Sequence, residues 1–117
     1  RNMKSRKEAL LLAFGMARRA GVLQIGQDIV KSNLARGESL FVFFAEFTEE
    51  GGSSFYRSLR KGRFAEKTNI IIMPEVSGAE LSAAVGSGNV KVVALPSRSG
   101  FARSISQLLA EGGNKDE

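Results

Sequence analysis

Leu40-Phe41-Val42-Phe43-Phe44-Ala45 contains no polar side chain, and Asn69-Ile70-Ile71-Ile72-Met73 contains one, at its first position. Both runs are strand-sized, and a strand that is apolar at every position must be covered on both faces. Pro74 ends the second run. Two further apolar stretches, 22–25 and 90–95, read as a brief strand and a last full strand. Between them the pattern is helical. Leu10, Ala13, Phe14, Ala17 and Ala20 recur at helical spacing over 4–20, and Gly21 followed by Val22 is a glycine stop with its apolar contact. Gly15 costs that helix about 1 kcal/mol against alanine, a cost that a close packing contact would explain. A second helix is predicted over 27–36, with Ile29, Val30 and Leu34 inward and Gly37 closing it. A polar connection over 46–54 leads to a third, about 53–61, anchored by Phe55 and Leu59. Ser77-Gly78-Ala79-Glu80 is a capping box opening a short helix that carries Leu81 and Val85 and stops at Gly86. Phe101, Ile105, Leu108 and Leu109 define a C-terminal amphipathic helix ending at Gly112, before a polar tail at 113–117. Strands covered on both faces and alternating with helices predict an α/β fold: a three-layer α/β/α sandwich on a central mixed sheet of about four strands, as one domain over 4–112.

Composition narrows the function. At 117 residues, 43% hydrophobic and 25% charged, the chain suits one compact core. It has no histidine, cysteine or tryptophan. A thiol nucleophile, a thiolate metal site, a disulfide and an imidazole proton shuttle are therefore all absent. Its only aspartates are Asp28 and Asp116, and its glutamates are scattered. Catalysis, a metal and a cofactor are not expected. The net charge is +5 and the isoelectric point about 10.0. That balance is the electrostatic footprint of a nucleic-acid binder, and it also falls within the range of ordinary small soluble domains. No apolar run approaches the ~18 residues of a membrane span. The first residues lack the apolar stretch of a signal peptide, with Met3 a candidate initiator. A cytoplasmic, monomeric protein with no membrane partner is expected.

Three segments carry a family resemblance. Gly15-Met16-Ala17-Arg18-Arg19-Ala20-Gly21, continuing to Gly26, resembles the opening of small bacterial proteins related to the ribosomal L-seven-Ae family, the YlxQ-like group. Leu81-Ser82-Ala83-Ala84-Val85-Gly86, with Ser77 and Glu80 ahead of it, resembles that family's S…E-L-G-x-A-x-G helix, and Ser99-Gly100-Phe101-Ala102 the segment opening its last helix. The resemblance covers about residues 6–109. It implies an RNA-binding α/β/α sandwich of ribosomal or ribonucleoprotein function that grips structured RNA with the N-terminus of the second helix and the loop before the last strand. On that basis the RNA-binding residues would be Arg18, Arg19, Gly26, Gln27, Asp28, Lys31, Val76, Gly86, Ser87, Gly88 and Asn89. Arg18, Arg19 and Lys31 would rim a backbone-amide pocket at Gly26, with Asn89 across from it.

The chemistry of those residues agrees. Gly26 permits close backbone approach, and the amides of Gln27, Asp28 and Ile29 leave a positive helix end. Gln27 can read base edges; Asp28 can accept from guanine but repels phosphate. The family motif is roughly G-x-N-E-x-x-K, whereas here Asp28, Ile29 and Ser32 replace its Asn, Glu and Lys. These departures count against kink-turn recognition and leave general binding of structured RNA. Plainer roles stand beside these. Gly26 also suits a strand-to-helix turn, Arg18 and Arg19 the negative end of a helix, and Gly86-Ser87-Gly88 a tight turn without the Lys-Ser/Thr of a P-loop. Arg57, Arg60, Lys61, Arg63 and Lys67, interleaved with Tyr56 and Phe64, form a secondary basic patch where bases would stack if the aromatics faced out. A protein-interaction module on the same fold is the alternative, favoured if Phe47, Phe55 and Tyr56 are exposed together. A third is the detached substrate-binding part of an RNA-modifying enzyme.

Overall fold

The computed structural model describes residues 5–46 and 54–114. In chain order it contains α1 (Arg6–Arg19), β1 (Gln24–Ile25), α2 (Gln27–Ala35), β2 (Leu40–Ala45), α3 (Ser54–Leu59), α4 (Gly62–Lys67), β3 (Thr68–Met73), α5 (Gly78–Val85), β4 (Val92–Pro96) and α6 (Gly100–Asn114). The sheet order is β1-β4-β2-β3, with β2 parallel to β3 and antiparallel to β4, and β1 antiparallel to β4. This is the expected mixed four-stranded sheet in an α/β/α sandwich.

Strand periodicity sorts the core into two. Phe43 and Ala45, with Met73, Val93 and Leu95, face Leu10, Phe14 and Ala17 of α1, Leu81 and Val85 of α5, and Ala102 and Ile105 of α6. Leu40, Val42 and Phe44, with Val92 and Ala94, face Val30 and Leu34 of α2 and Phe55, Tyr56 and Leu59 of α3. Aromatic edges fasten both layers. Phe14 meets Phe43 at 5.1 Å between centroids, and Tyr56 meets Phe44 at 5.8 Å, each near perpendicular. Ile29 departs from its expected inward position; it lies in the first turn of α2 and is 51% exposed.

Helix ends follow local chemistry. The Val22 amide donates to the Ala17 carbonyl at 3.1 Å and the Gly21 amide to Arg18 at 3.0 Å, with Gly21 at φ +79°: a Schellman turn. Ser77 and Glu80 form the expected reciprocal box, and Ser5 and Glu8 form another at the start of α1. Gly15 meets its close contact. A Cβ there would stand 3.0 Å from the Ala84 carbonyl oxygen, so α1 and α5 touch backbone to backbone. Three boundaries differ from expectation. α4 is additional, because it buries no residue fully and so leaves no apolar period to read. β4 begins at Val92 because Val90 gives its amide to Ser82 Oγ at 2.8 Å, outside the ladder. α6 continues past Gly112 to Asn114.

Two consequences are measurable. Gly15→Val forces a side chain against the α5 backbone and should destabilise the protein by about 1–3 kcal/mol. Gly88→Ala, in open space, should stay within about 0.5 kcal/mol in the same denaturant titration. Glu80 accepts from the Ser77 amide at 2.9 Å through Oε1 and from Lys7 at 2.9 Å through Oε2. The Ser77 amide foremost, then Lys7, holds its carboxyl below the usual carboxylate range. A lowered native pKa stabilises the fold above the unfolded-state value and loses that effect as pH falls through the lowered value. Glu80→Gln keeps the acceptor and removes the charge. It should unfold more easily than the parent at pH 7, with the difference disappearing once the pH is below the native pKa of Glu80.

Candidate nucleic-acid interface

Sheet register brings one set of loops together. Phe44 pairs with Val92, and Ala45 lies beside Met73, so the C-terminal ends of β2 and β3 meet the start of β4. At that end Gly26 donates its amide to Val92 at 3.0 Å, and Ala45 donates to Lys91 at 2.9 Å. Glu46 donates to Val76 at 2.8 Å and to Met73 at 3.2 Å. A cleft of about 430 Å³ opens between Glu46, Gly78, Ala79, Ser82, Asn89, Val90 and Lys91. Gly26 and Asn89 therefore belong to one pole, linked through the start of β4.

Two helix N-termini border this pole, and they differ. That of α5 is closed: Ser77 Oγ accepts from Glu80, Glu80 accepts from Ser77, and the Glu46 carboxylate accepts from the Gly78 amide. That of α2 is open. Its N-cap is Gly26, with no side-chain cap, and Gln27, Asp28 and Ile29 are exposed. First-turn amides without an acceptor, at the positive end of a helix dipole, favour an anionic or hydrogen-bond-accepting partner. Lys31, also exposed, follows Gln27 by one turn. Asp28 sets a negative charge within the same turn, so base edges suit this surface better than phosphate alone.

The other anticipated residues fall less simply. Arg18 donates to the Val85 carbonyl at 3.0 Å, satisfying the end of α5 beside Gly86. An Arg19 guanidinium nitrogen lies 3.7 Å from where a Cβ on Gly15 would stand. Arg18 thus braces the α1–α5 contact next to the 86–89 loop, while Arg19 is exposed over Gly15 of its own helix. Gly86, in the left-handed region, and Ser87 both donate to the Ser82 carbonyl, so Gly86-Ser87-Gly88 is a tight turn closed on Ser82. Asn89, at φ +54°, completes it. Val76 requires correction. It is fully buried in the α1–α5–α6 core and its amide donates to Met73, so it offers no surface to RNA.

Arg57, Arg60, Lys61 and Arg63 are exposed on α3, α4 and the turn between them. Tyr56 is 5% exposed and packs inward on Phe44, so it cannot stack a base. Arg60 instead covers it, 5.5 Å from the ring centroid and 3.0 Å from its hydroxyl. Phe55 is likewise buried, which removes the aromatic patch expected of a protein-interaction surface; Phe47 lies outside the described residues. Lys91, Glu46 and Ser82 were not anticipated at this pole. Lys91 was visible only as a lone cation after Asn89, and no local signal shows that Glu46 would reach α5. Among the described residues no group of acidic, histidine or cysteine side chains could hold a metal, and no helix is long and apolar enough to cross a membrane.

No protein-family model matches the chain, and no curated protein matches it significantly. Solved structures do. A Bacillus halodurans protein of unknown function superposes with a TM-score of 0.70 at 20% identity, covering 87% of this chain and 97% of that one. A Giardia lamblia 15.5kD RNA binding protein superposes with a TM-score of 0.64 at 12% identity, covering 94% and 89%. At these identities the likeness establishes the fold.

The backbone at Gly26, φ +95° and ψ 149°, lies where only glycine is comfortable. Gly26→Ala meets no atom but should cost about 1–3 kcal/mol in strain. Gln27→Ala on the exposed neighbour should stay within about 0.5 kcal/mol. Thermal unfolding of the two variants separates them, and Gln27→Ala is the cleaner probe of binding.

Proposed function

We propose that this protein is a non-catalytic RNA-binding protein of the YlxQ-like bacterial group, acting in the cytoplasm on ribosomal or other ribonucleoprotein RNA. The observation that carries this is the uncapped N-terminus of α2, where half-buried Gly26 leads into exposed Gln27 and Lys31 on the pole that also holds Asn89 and Lys91. Three things support it: the basic balance, the family-like segments, and a fold shared with an RNA binding protein from Giardia lamblia. The amides and Gln27 supply local hydrogen bonds, and the lysines supply charge. Asp28, Ile29 and Ser32 in place of the family's Asn, Glu and Lys count against the kink-turn, and the target proposed is structured RNA in general.

Filter binding to structured RNA across a salt series tests this. Affinity should fall as salt rises, and Lys31→Ala with Lys91→Ala should flatten the slope by about 0.9 per lost phosphate contact on a duplex or about 0.7 on a single strand. Absence of binding at low salt, or an affinity indifferent to salt, would refute RNA binding.

A further inference from the structure

The other end of the sheet carries a different set of groups. There β2 and β3 begin and β4 finishes, with Leu40 opposite both Pro96 and Thr68. A cleft of about 590 Å³ opens between Arg36, Gly37, Glu38, Ser39, Pro96, Ser97 and Arg98. Its two walls are tied. The Ser97 amide donates to the Ser39 carbonyl at 2.9 Å, and the two hydroxyls lie 3.1 Å apart. Among the described residues the Arg98 side chain makes neither hydrogen bond nor ion pair, and Arg36, 65% exposed, donates through one guanidinium nitrogen to Asn33 Oδ1 on its own helix and reaches Glu38 at 3.8 Å. The one carboxylate in the cleft, Glu38, is shared between Arg36 and the Gln24 amide, which donates to it at 3.3 Å.

Charge is distributed unequally between the poles. At the α2 pole Arg6 and Lys7 are paired with Glu75 and Glu80, Arg18 is bound to a carbonyl, and the exposed Lys31 and Lys91 are offset by Asp28 and Glu46. At the opposite pole Lys67 directly precedes Thr68 in the strand next to β2. Strands stand about 4.8 Å apart, so two spacings, roughly 10 Å, separate the start of β3 from the end of β4. Lys61 and Arg63 are exposed at the start of α4. Two arginine guanidinium groups, each with nitrogens left to donate, and two serine hydroxyls in one open cleft are the donor set for successive phosphates of a polyanion.

We propose that the Arg36–Arg98 cleft is a second contact site for the RNA phosphate backbone, separate from the α2 pole, so that one molecule holds RNA at both ends of its sheet. This inference rests on RNA binding itself. The test compares the salt dependence of binding to one structured RNA for the parent, for Arg36→Ala/Arg98→Ala, for Arg36→Lys/Arg98→Lys and for Lys31→Ala/Lys91→Ala. Loss of two phosphate contacts should flatten the slope of the Arg-to-Ala variant by about 1.4–1.8. The lysine version should keep the slope while binding more weakly, since it keeps the charge and loses the fork. Combining Arg36→Ala/Arg98→Ala with Lys31→Ala/Lys91→Ala should add the two effects. If the Arg-to-Ala variant keeps the parent slope while Lys31→Ala/Lys91→Ala flattens it, the second site is overturned and RNA binding at the α2 pole stands. If the parent shows no salt-dependent binding, both fall. If the lysine version loses as much slope as the alanine version, charge in this cleft is not what holds RNA and the site is overturned.

Discussion

Everything in this structure is arranged around one strand that must be hidden on both faces. β2 carries Leu40, Val42, Phe43, Phe44 and Ala45 at 5% exposure or less, and a phenylalanine exposed in place of buried would forgo about 1.5–3 kcal/mol. One layer of helices satisfies only alternate positions, so the chain has to supply α1, α5 and α6 on one side and α2, α3 and α4 on the other. Each layer then contributes a different kind of surface. The first locks through a backbone contact at Gly15 and Ala84; the second carries the open turn at Gly26 and the basic side chains of α3 and α4.

The sandwich was legible wherever burial left a period. Ile70 to Ile72, the capping box at Ser77 and the glycine stop at Gly21 each announce their element through chemistry confined to a few neighbouring residues. α4 was not legible, because Phe64 is its lone large apolar side chain and even that is only half-buried. An inner side made of Ile29, Val30 and Leu34 is wider than this helix uses: Ile29 lies outward in the first turn after Gly26, and Val30 takes the core position.

The candidate interface was only partly readable for the same reason. Gly26, Gln27 and Lys31 lie close in sequence, so a turn glycine and the helix after it place them together. Val76 could not be told from a surface loop residue, since its burial depends on Glu46 reaching across from β2 to bond its carbonyl. Arg18 and Arg19 read as a free helix end, although the close approach of α5 gives Arg18 a carbonyl to cap. Tertiary neighbours decided these roles, and no local spacing encodes them.

The sheet also has an unguarded side. Among the described residues β3 pairs only with β2, so its outer backbone groups face away from the ladder along six residues, three of them isoleucines. A long apolar edge of this kind is a template for another strand. Its two ends carry what blunts it: Lys67 just before the strand and Pro74 just after, a repelling charge and a residue that cannot donate. Among the described residues, the guarding of this edge against a second strand therefore falls to two exposed side chains that take no part in the core.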